Sequence, residues 1–256
     1  MRPQDLEPEM EAWLQRAFPR LDEEIEGASS GEVDEIRRIV GHDLPRFYEW
    51  FLLRMGRSMG RIGVTSRFDY TARRVLWCYE QGLAEPDPND LLIGFDTTND
   101  PMGLQIFYDF TRPCRDDAMT GKGEPDAGPV YPEFETFREH IGWGKTTVLL
   151  VMESPSHCAG VLASRTPGQN AVDQLKKFMT RHGFDQPLPT GSYCGIFMRT
   201  DMTMTCTRSI LVKTDTLAFR LGGQSQAWLR RFLGEIALSD DLELHEDMLE
   251  WGGSSR

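Results

Sequence analysis

The sequence predicts an α+β protein, with helices packed on a mostly antiparallel sheet and a C-terminal α+β extension or second domain. Three observations predict it. Apolar residues near the N-terminus recur three and four apart, the spacing of one helix face. After Gly60 that spacing gives way to short apolar runs bounded by Gly, Pro, Asn or Asp, the pattern of strands. The elements come as helices, then strands, then a second mixture, without the β-α-β-α alternation of a doubly wound parallel sheet. The 256 residues, 39% of them hydrophobic, suffice for one large domain or two small ones. The expected division is 1–145 and 146–256.

The first helix is expected over 8–18, where Met10, Trp13, Leu14, Ala17 and Phe18 share a face and Pro19 ends it. Residues 27–31 form a Gly/Ser break. A second helix begins near Glu32, with Val33, Ile36, Ile39 and Val40 on one side, and stops at Gly41. Leu44-Pro45 opens a third, since Pro suits a helix start where its missing N–H costs nothing. Leu44, Phe47, Tyr48, Phe51, Leu52 and Met55 make its wide apolar stripe, and Gly56 is its stop.

Strands are expected at 75–79, 91–95 and 103–110, with the polar turn 96–102 between the last two. Residues 111–132 hold four Pro and three Gly and read as a long surface loop. Phe134, Phe137, Ile141 and Trp143 mark a short helix. In the second half, 146–152 reads as a strand, 171–182 as an amphipathic helix and 193–199 as a strand. A hairpin is expected over 203–221 around Lys213-Thr214-Asp215, then a helix over 227–237 and an acidic terminal helix over 242–251.

The formal charge is −12, and it sits at the two ends. Residues 1–35 hold 11 acids and 3 bases, and residues 235–256 hold 7 acids and one base. Such a surface repels phosphates, so nonspecific nucleic-acid binding is not expected. One stretch runs the other way: Arg54, Arg57, Arg61, Arg67, Arg73 and Arg74 face Asp69 alone between positions 54 and 74, with Phe68 and Tyr70 interleaved. Pairing with the acidic N-terminal helices, or a plain solvated surface, is favoured for that stretch over single-strand binding. No segment approaches the roughly 20 apolar residues that span a bilayer. Residues 1–7 lack the apolar core of a signal peptide. The five cysteines are odd in number and contain no C-x-x-C pair, which fits reduced thiols in a cytoplasmic setting, without disulfide or metal.

The third helix carries a pattern. Leu44-Pro45-x-x-Tyr48-x-x-Phe51-Leu52-x-x-x-Gly56 resembles the signature helix of the SUKH superfamily, which contains yeast cell-wall regulators of the Smi/Knr type and many bacterial immunity proteins. Met55 stands where Asn is usual. Glu35-Ile36 looks like the family's preceding helix. Leu91–Phe95 with Leu104–Asp109 looks like its central hairpin, and Tyr131-Pro132-x-Phe134-x-x-Phe137 like its closing helix. The resemblance covers about 32–143 and leaves 146–256 unexplained.

No nucleophile elbow, phosphate loop, dinucleotide fingerprint or H-E-x-x-H is present. Gly144-Lys145-Thr146 ends like a phosphate loop, but Glu139 stands where the first Gly belongs. His42, His140, His157, His182 and His245 each stand alone. The acids at Asp96, Asp100 and Asp116-Asp117 lack the alternating ligands of a calcium loop and read as turn formers.

The resemblance implies a cytoplasmic immunity protein that binds and neutralises a partner toxin through a protein–protein surface. No catalytic residue, cofactor, metal or membrane is expected. A basic nuclease toxin suits the acidic surplus, because charge complementarity accelerates association. The expected contacts are the acidic N-terminal region or the turn residues Asp96, Asn99 and Asp100. The alternatives are an intracellular scaffold or regulator, and an enzyme with dispersed active-site residues around the hairpin.

Overall fold

A computed structural model describes residues 3–64, 66–98, 103–124 and 130–252. It is an α+β fold with mostly antiparallel sheets, and it divides into two compact units, Met1–His140 and Ile141–Arg256.

Unit 1 opens with α1 (Pro8–Ala17), which has Pro at its start and buries Met10, Trp13 and Leu14. A two-residue strand, β1 (Ile25–Glu26), leads to α2 (Ser30–Val40). Ser29 and Glu32 cap α2 reciprocally, each side chain taking the other's backbone N–H. Gly41 ends it at φ 74°, a left-handed conformation that favours glycine. Next comes α3 (Arg46–Met55), where Phe47, Tyr48, Trp50, Phe51, Leu52 and Met55 are all buried. Beyond it lie β2 (Ser58–Met59), which pairs antiparallel with β1, then α4 (Arg61–Val64), β3 (Phe68–Asp69) and α5 (Ala72–Glu80).

The main sheet of unit 1 is a five-stranded antiparallel meander. Its strands are β3, β4 (Asp90–Asp96), β5 (Gln105–Cys114), β6 (Asp117–Gly123) and β7 (Tyr131–Phe134), in chain order. Phe137, the first residue of α6 (Phe137–Lys145), is the hub of its core. Its ring centre lies 5.0–5.9 Å from those of Phe47, Tyr48, Phe51, Tyr70 and Tyr108. A smaller core of Cys78, Ala84, Leu92 and Phe107 uses residues of α5 as well as the sheet. Strand β5 therefore buries both of its sides, Ile106 and Tyr108 as well as Phe107, which simple in–out alternation does not anticipate.

Two expectations for unit 1 are corrected. Residues 75–79 are helical. Thr71 caps α5 through its side chain, and Ala72, Val75 and Cys78 are buried at a spacing of three, so the β-prone Val-Leu-Trp-Cys-Tyr run is one turn of an amphipathic helix. Residues 111–132 are not one surface loop, because they contain the end of β5, all of the well-buried β6 and the start of β7. Small residues make β6 possible: a Cβ on Gly121 would sit 2.5 Å from the carbonyl oxygen of Tyr131.

In unit 2, residues 146–152 continue from α6 as a π-helix rather than the expected strand. It packs on the sheet of unit 2, and Thr147 Oγ1 lies 2.8 Å from Thr205 Oγ1. The chain then forms β8 (Ser156–Ser164), a strand the sequence reading did not identify, and α7 (Ala171–Arg181), capped by Asn170. The strands β9 (Cys194–Met198), β10 (Met202–Thr207) and β11 (Thr216–Gly223) follow, with β10 and β11 forming the expected hairpin. After α8 (Gln226–Ala237) the expected terminal helix is absent. In its place β12 (Leu242–Leu244) and β13 (Glu250–Gly252) pair in succession with β8, separated by a 3-10 turn at Glu246–Met248. The sheet order is β12-β8-β11-β10-β9, and its core includes residues of α7 and α8.

Candidate protein interface

Asp96 closes β4, and its side chain is only 2% exposed. One carboxylate oxygen accepts from Arg67 Nε at 2.8 Å and from a second Arg67 nitrogen. The other accepts the backbone and hydroxyl hydrogens of Thr98, both at 2.8 Å. These donors, Arg67 above all, hold the carboxyl down at about 2. Asp96 is thus a staple between the segment leading into β3 and the end of β4. Its carboxylate, expected from the sequence to meet a partner, is engaged within unit 1 by these donors. Asn99 and Asp100 lie outside the described residues.

The acidic N-terminal region is also largely committed. Glu11 accepts from Arg54 Nε at 2.8 Å and from the buried Trp50 indole at 2.9 Å, and the same arginine reaches Asp22. Arg57 pairs with Glu26 at 2.7 Å, and Arg61 Nε with Glu24 at 2.8 Å. Arg37 bridges Asp34 at 2.6 Å and Glu49 at 2.9 Å. Half of the basic stretch, Arg54, Arg57 and Arg61, therefore pairs with the acidic end, while Arg67 and Arg74 pair with Asp96 and Asp69.

Deeper in unit 1, the buried Glu7 accepts from Arg138 at 2.8 Å, and Asp116 pairs with both Arg138 and Arg46. Burial raises the Glu7 carboxyl, against the pull of Arg138. Asp117 is no turn former. It is buried and takes four donors: the Tyr108 hydroxyl and the backbone N–H groups of Ala118 (2.8 Å), Phe137 (3.3 Å) and Arg138 (3.0 Å). The last two are orphan donors of the first turn of α6, so a residue of β6 caps a helix that begins 20 positions later.

The groups that support chemistry stay dispersed. His140 sits between Tyr70 Oη (3.0 Å) and Thr120 Oγ1 (3.3 Å) inside the core of unit 1. The imidazole Nδ1 of His182 lies 2.8 Å from the Phe178 carbonyl. Burial pushes the thiols of Cys78, Cys158 and Cys206 up to about 11, 12 and 12, far from nucleophilic. Among the described residues no three His, Cys, Asp or Glu side chains are placed to hold a metal ion. Lys145 is the one strongly perturbed base among these residues; burial lowers it to about 8.

Charge left over from internal pairing collects at the C-terminal edge of unit 2. Asp241 pairs with Arg181 and Glu235 with Arg231. Among the described residues, Asp240, Glu243, Glu246, Asp247 and Glu250 are exposed and make no ion pair. The sequence signal for this edge was the alternation Leu242-Glu243-Leu244, which a helical reading of the acidic run obscured. No protein-family model matches the chain, and no curated protein matches it. No helix of the described residues is long and apolar enough to cross a membrane.

Proposed function

We propose that the chain is a cytoplasmic immunity protein of the SUKH type, which neutralises a partner toxin by binding it. The resemblance over 32–143 supplies the class. In support, its motif residues Tyr48, Phe51 and Leu52 form the buried side of α3 and belong to one core with the sheet, so the motif is a scaffold rather than a site. The observation that carries a basic partner is the asymmetry of charge. The N-terminal acids are largely matched by arginines, while the C-terminal edge keeps five carboxylates free for an incoming positive surface.

The test is co-expression with the toxin encoded beside the gene. Protection of the host and co-purification of the two proteins are expected, with association slowed by salt because exposed charges are screened over about 8 Å at physiological ionic strength. Failure to protect, together with turnover of a small molecule by the protein alone, replaces this reading with the enzymatic one. The specific observation favouring that second reading is Lys145, at the junction between α6 and the π-helix, a buried amine that burial lowers to about 8.

A further inference from the structure

The free carboxylates of unit 2 border an apolar groove. It lies between α8 and the chain from β12 to β13, with a volume of about 240 Å³, room for one large side chain. Leu233 of α8 and Leu244, Leu249 and Trp251 of the edge line it. Arg230 is already engaged, its guanidinium 4.6 Å above the Trp251 ring. At Gly234 a Cβ would meet nothing within 4 Å, so the groove is open there. Glu246 stands in the lining itself, and Glu243, Asp247 and Glu250 are its exposed chain neighbours. Leu238, which follows α8, is 87% exposed, and Met248, between Glu246 and Leu249, is 52% exposed.

We infer that this groove receives a basic segment of a protein partner, one large apolar side chain entering between α8 and the edge while a flanking lysine or arginine meets Glu246. Charge complementarity selects the occupant: Glu246 in the lining and Asp247 beside it are exposed and make no ion pair, while the lining cation Arg230 lies over the Trp251 ring. Protection of a sheet edge from aggregation explains charges on β12 and β13. It does not explain an apolar groove open at Gly234 or the exposed Leu238. Strand addition is disfavoured as the binding mode, because the 3-10 turn at Glu246–Met248 interrupts the edge, so a side-chain anchor carries recognition. The inference rests on the toxin-binding reading only for what the partner is.

Gly234 supplies a blocking variant that preserves the fold. A side chain there enters open space, and replacing a mid-helix glycine favours the helix. The probes are fluorescein-labelled Lys/Arg-rich peptides with one central Leu, Phe or Trp, and the same peptide with central Gly. Anisotropy titration of the full chain should show saturable binding of an anchored peptide, at least about tenfold tighter than the Gly peptide. Gly234→Phe should weaken it by about tenfold or more with an unlowered melting temperature, and Glu246→Lys should do likewise and flatten the salt dependence. The inference is overturned if no anchored peptide binds, if the Gly peptide binds equally well, or if both folded variants bind like the native chain. Protection by Gly234→Phe at the native level against a neutralised toxin overturns the groove as the toxin site and leaves the immunity reading standing. Peptide binding at the groove in a protein that protects against no neighbouring toxin supports the groove and removes that reading.

Discussion

Replacing Asp117 by Asn tests whether a buried carboxylate organises unit 1. An ionised carboxylate accepts from all four of its donors. Its Oδ1 takes Tyr108, Ala118 and Phe137, and its Oδ2 takes the Arg138 N–H. Asparagine keeps one acceptor oxygen and turns an NH2 group toward the remaining donor. With the oxygen in the more crowded position, the Arg138 N–H at the start of α6 is orphaned, which costs about 1–3 kcal/mol. The three surviving hydrogen bonds lose their charge assistance, but the raised Asp117 carboxyl means that relief from burying a charge outweighs that loss. The expected net loss is therefore at most that of the orphaned donor, about 1–2 kcal/mol, or roughly 5 °C in the melting of a unit this size. Urea unfolding followed by fluorescence reports on the unit through the buried Trp13 and Trp50. The pH dependence has a definite sign. Burial raises the native Asp117 carboxyl above its ordinary 3.8, so the native state binds the proton first. Native stability relative to the variant therefore grows as pH falls from the raised value toward 3.8. A variant within about 0.5 kcal/mol of the native protein at pH 7 would show that the four donors do not depend on the carboxylate, and the capping argument would fail.

Two further expectations concern charges the fold has moved indoors. Asp96→Asn should lower stability at pH 7 by about 1 kcal/mol, a figure discounted for screening at the half-exposed Arg67. The Asp96 carboxyl is depressed from 3.8 to about 2, so its contribution is complete above 3.8 and disappears as pH falls through 2. Chemical denaturation of both proteins down that range should show the gap closing, and equal stability at pH 7 would return Asp96 to the surface role first expected of it. Lys145→Met should stabilise the protein below pH 8 by up to about 3 kcal/mol, since the native amine is depressed from 10.5 to about 8 and its charged form is penalised by burial. The advantage should fade as pH rises from 8 to 10.5, where both states become neutral. A destabilised Met variant at neutral pH would mean that the ammonium is stabilised by its surroundings.

What could be read from the sequence follows from where the controlling contacts lie. Helices α2, α3, α7 and α8 were legible because their information is local: an apolar stripe, with a capping box and Gly41 for α2 and Asn170 capping α7. The β4–β5 hairpin was legible from its apolar runs and polar turn. The errors came where two periodicities overlapped. Val75-Leu76-Trp77-Cys78-Tyr79 is β-prone in composition, and its burial at every third residue shows only when Ala72 is counted with it. Residues 146–152 are rich in β-branched side chains, yet the π-helix buries Thr146, Thr147 and Val151 on the sheet of unit 2. The candidate site suffered most. Whether Asp96 is a contact or a staple depends on Arg67, 29 positions away, and whether Asp117 is a turn former or a helix cap depends on α6. Neither partner is marked by local spacing.

The two acidic ends look alike in composition and differ in consequence. At the N-terminal end the acids are spread over α1, β1, α2 and the turns between them, and arginines from α2 to α4 reach them across those elements. An exposed pair of that kind contributes little stability, and what it removes is the long-range field, because each carboxylate has its countercharge within hydrogen-bond distance. At the C-terminal end the acids fall on β12, the 3-10 turn and β13, an edge with no strand beyond it among the described residues. Net charge counts both ends equally, but the second keeps most of its carboxylates unpaired and so projects the stronger potential toward a basic partner. Recognition by charge should accordingly respond to substitutions at Glu246 and Glu250 and be nearly indifferent to paired Glu24 or Glu26, a contrast the sequence totals conceal.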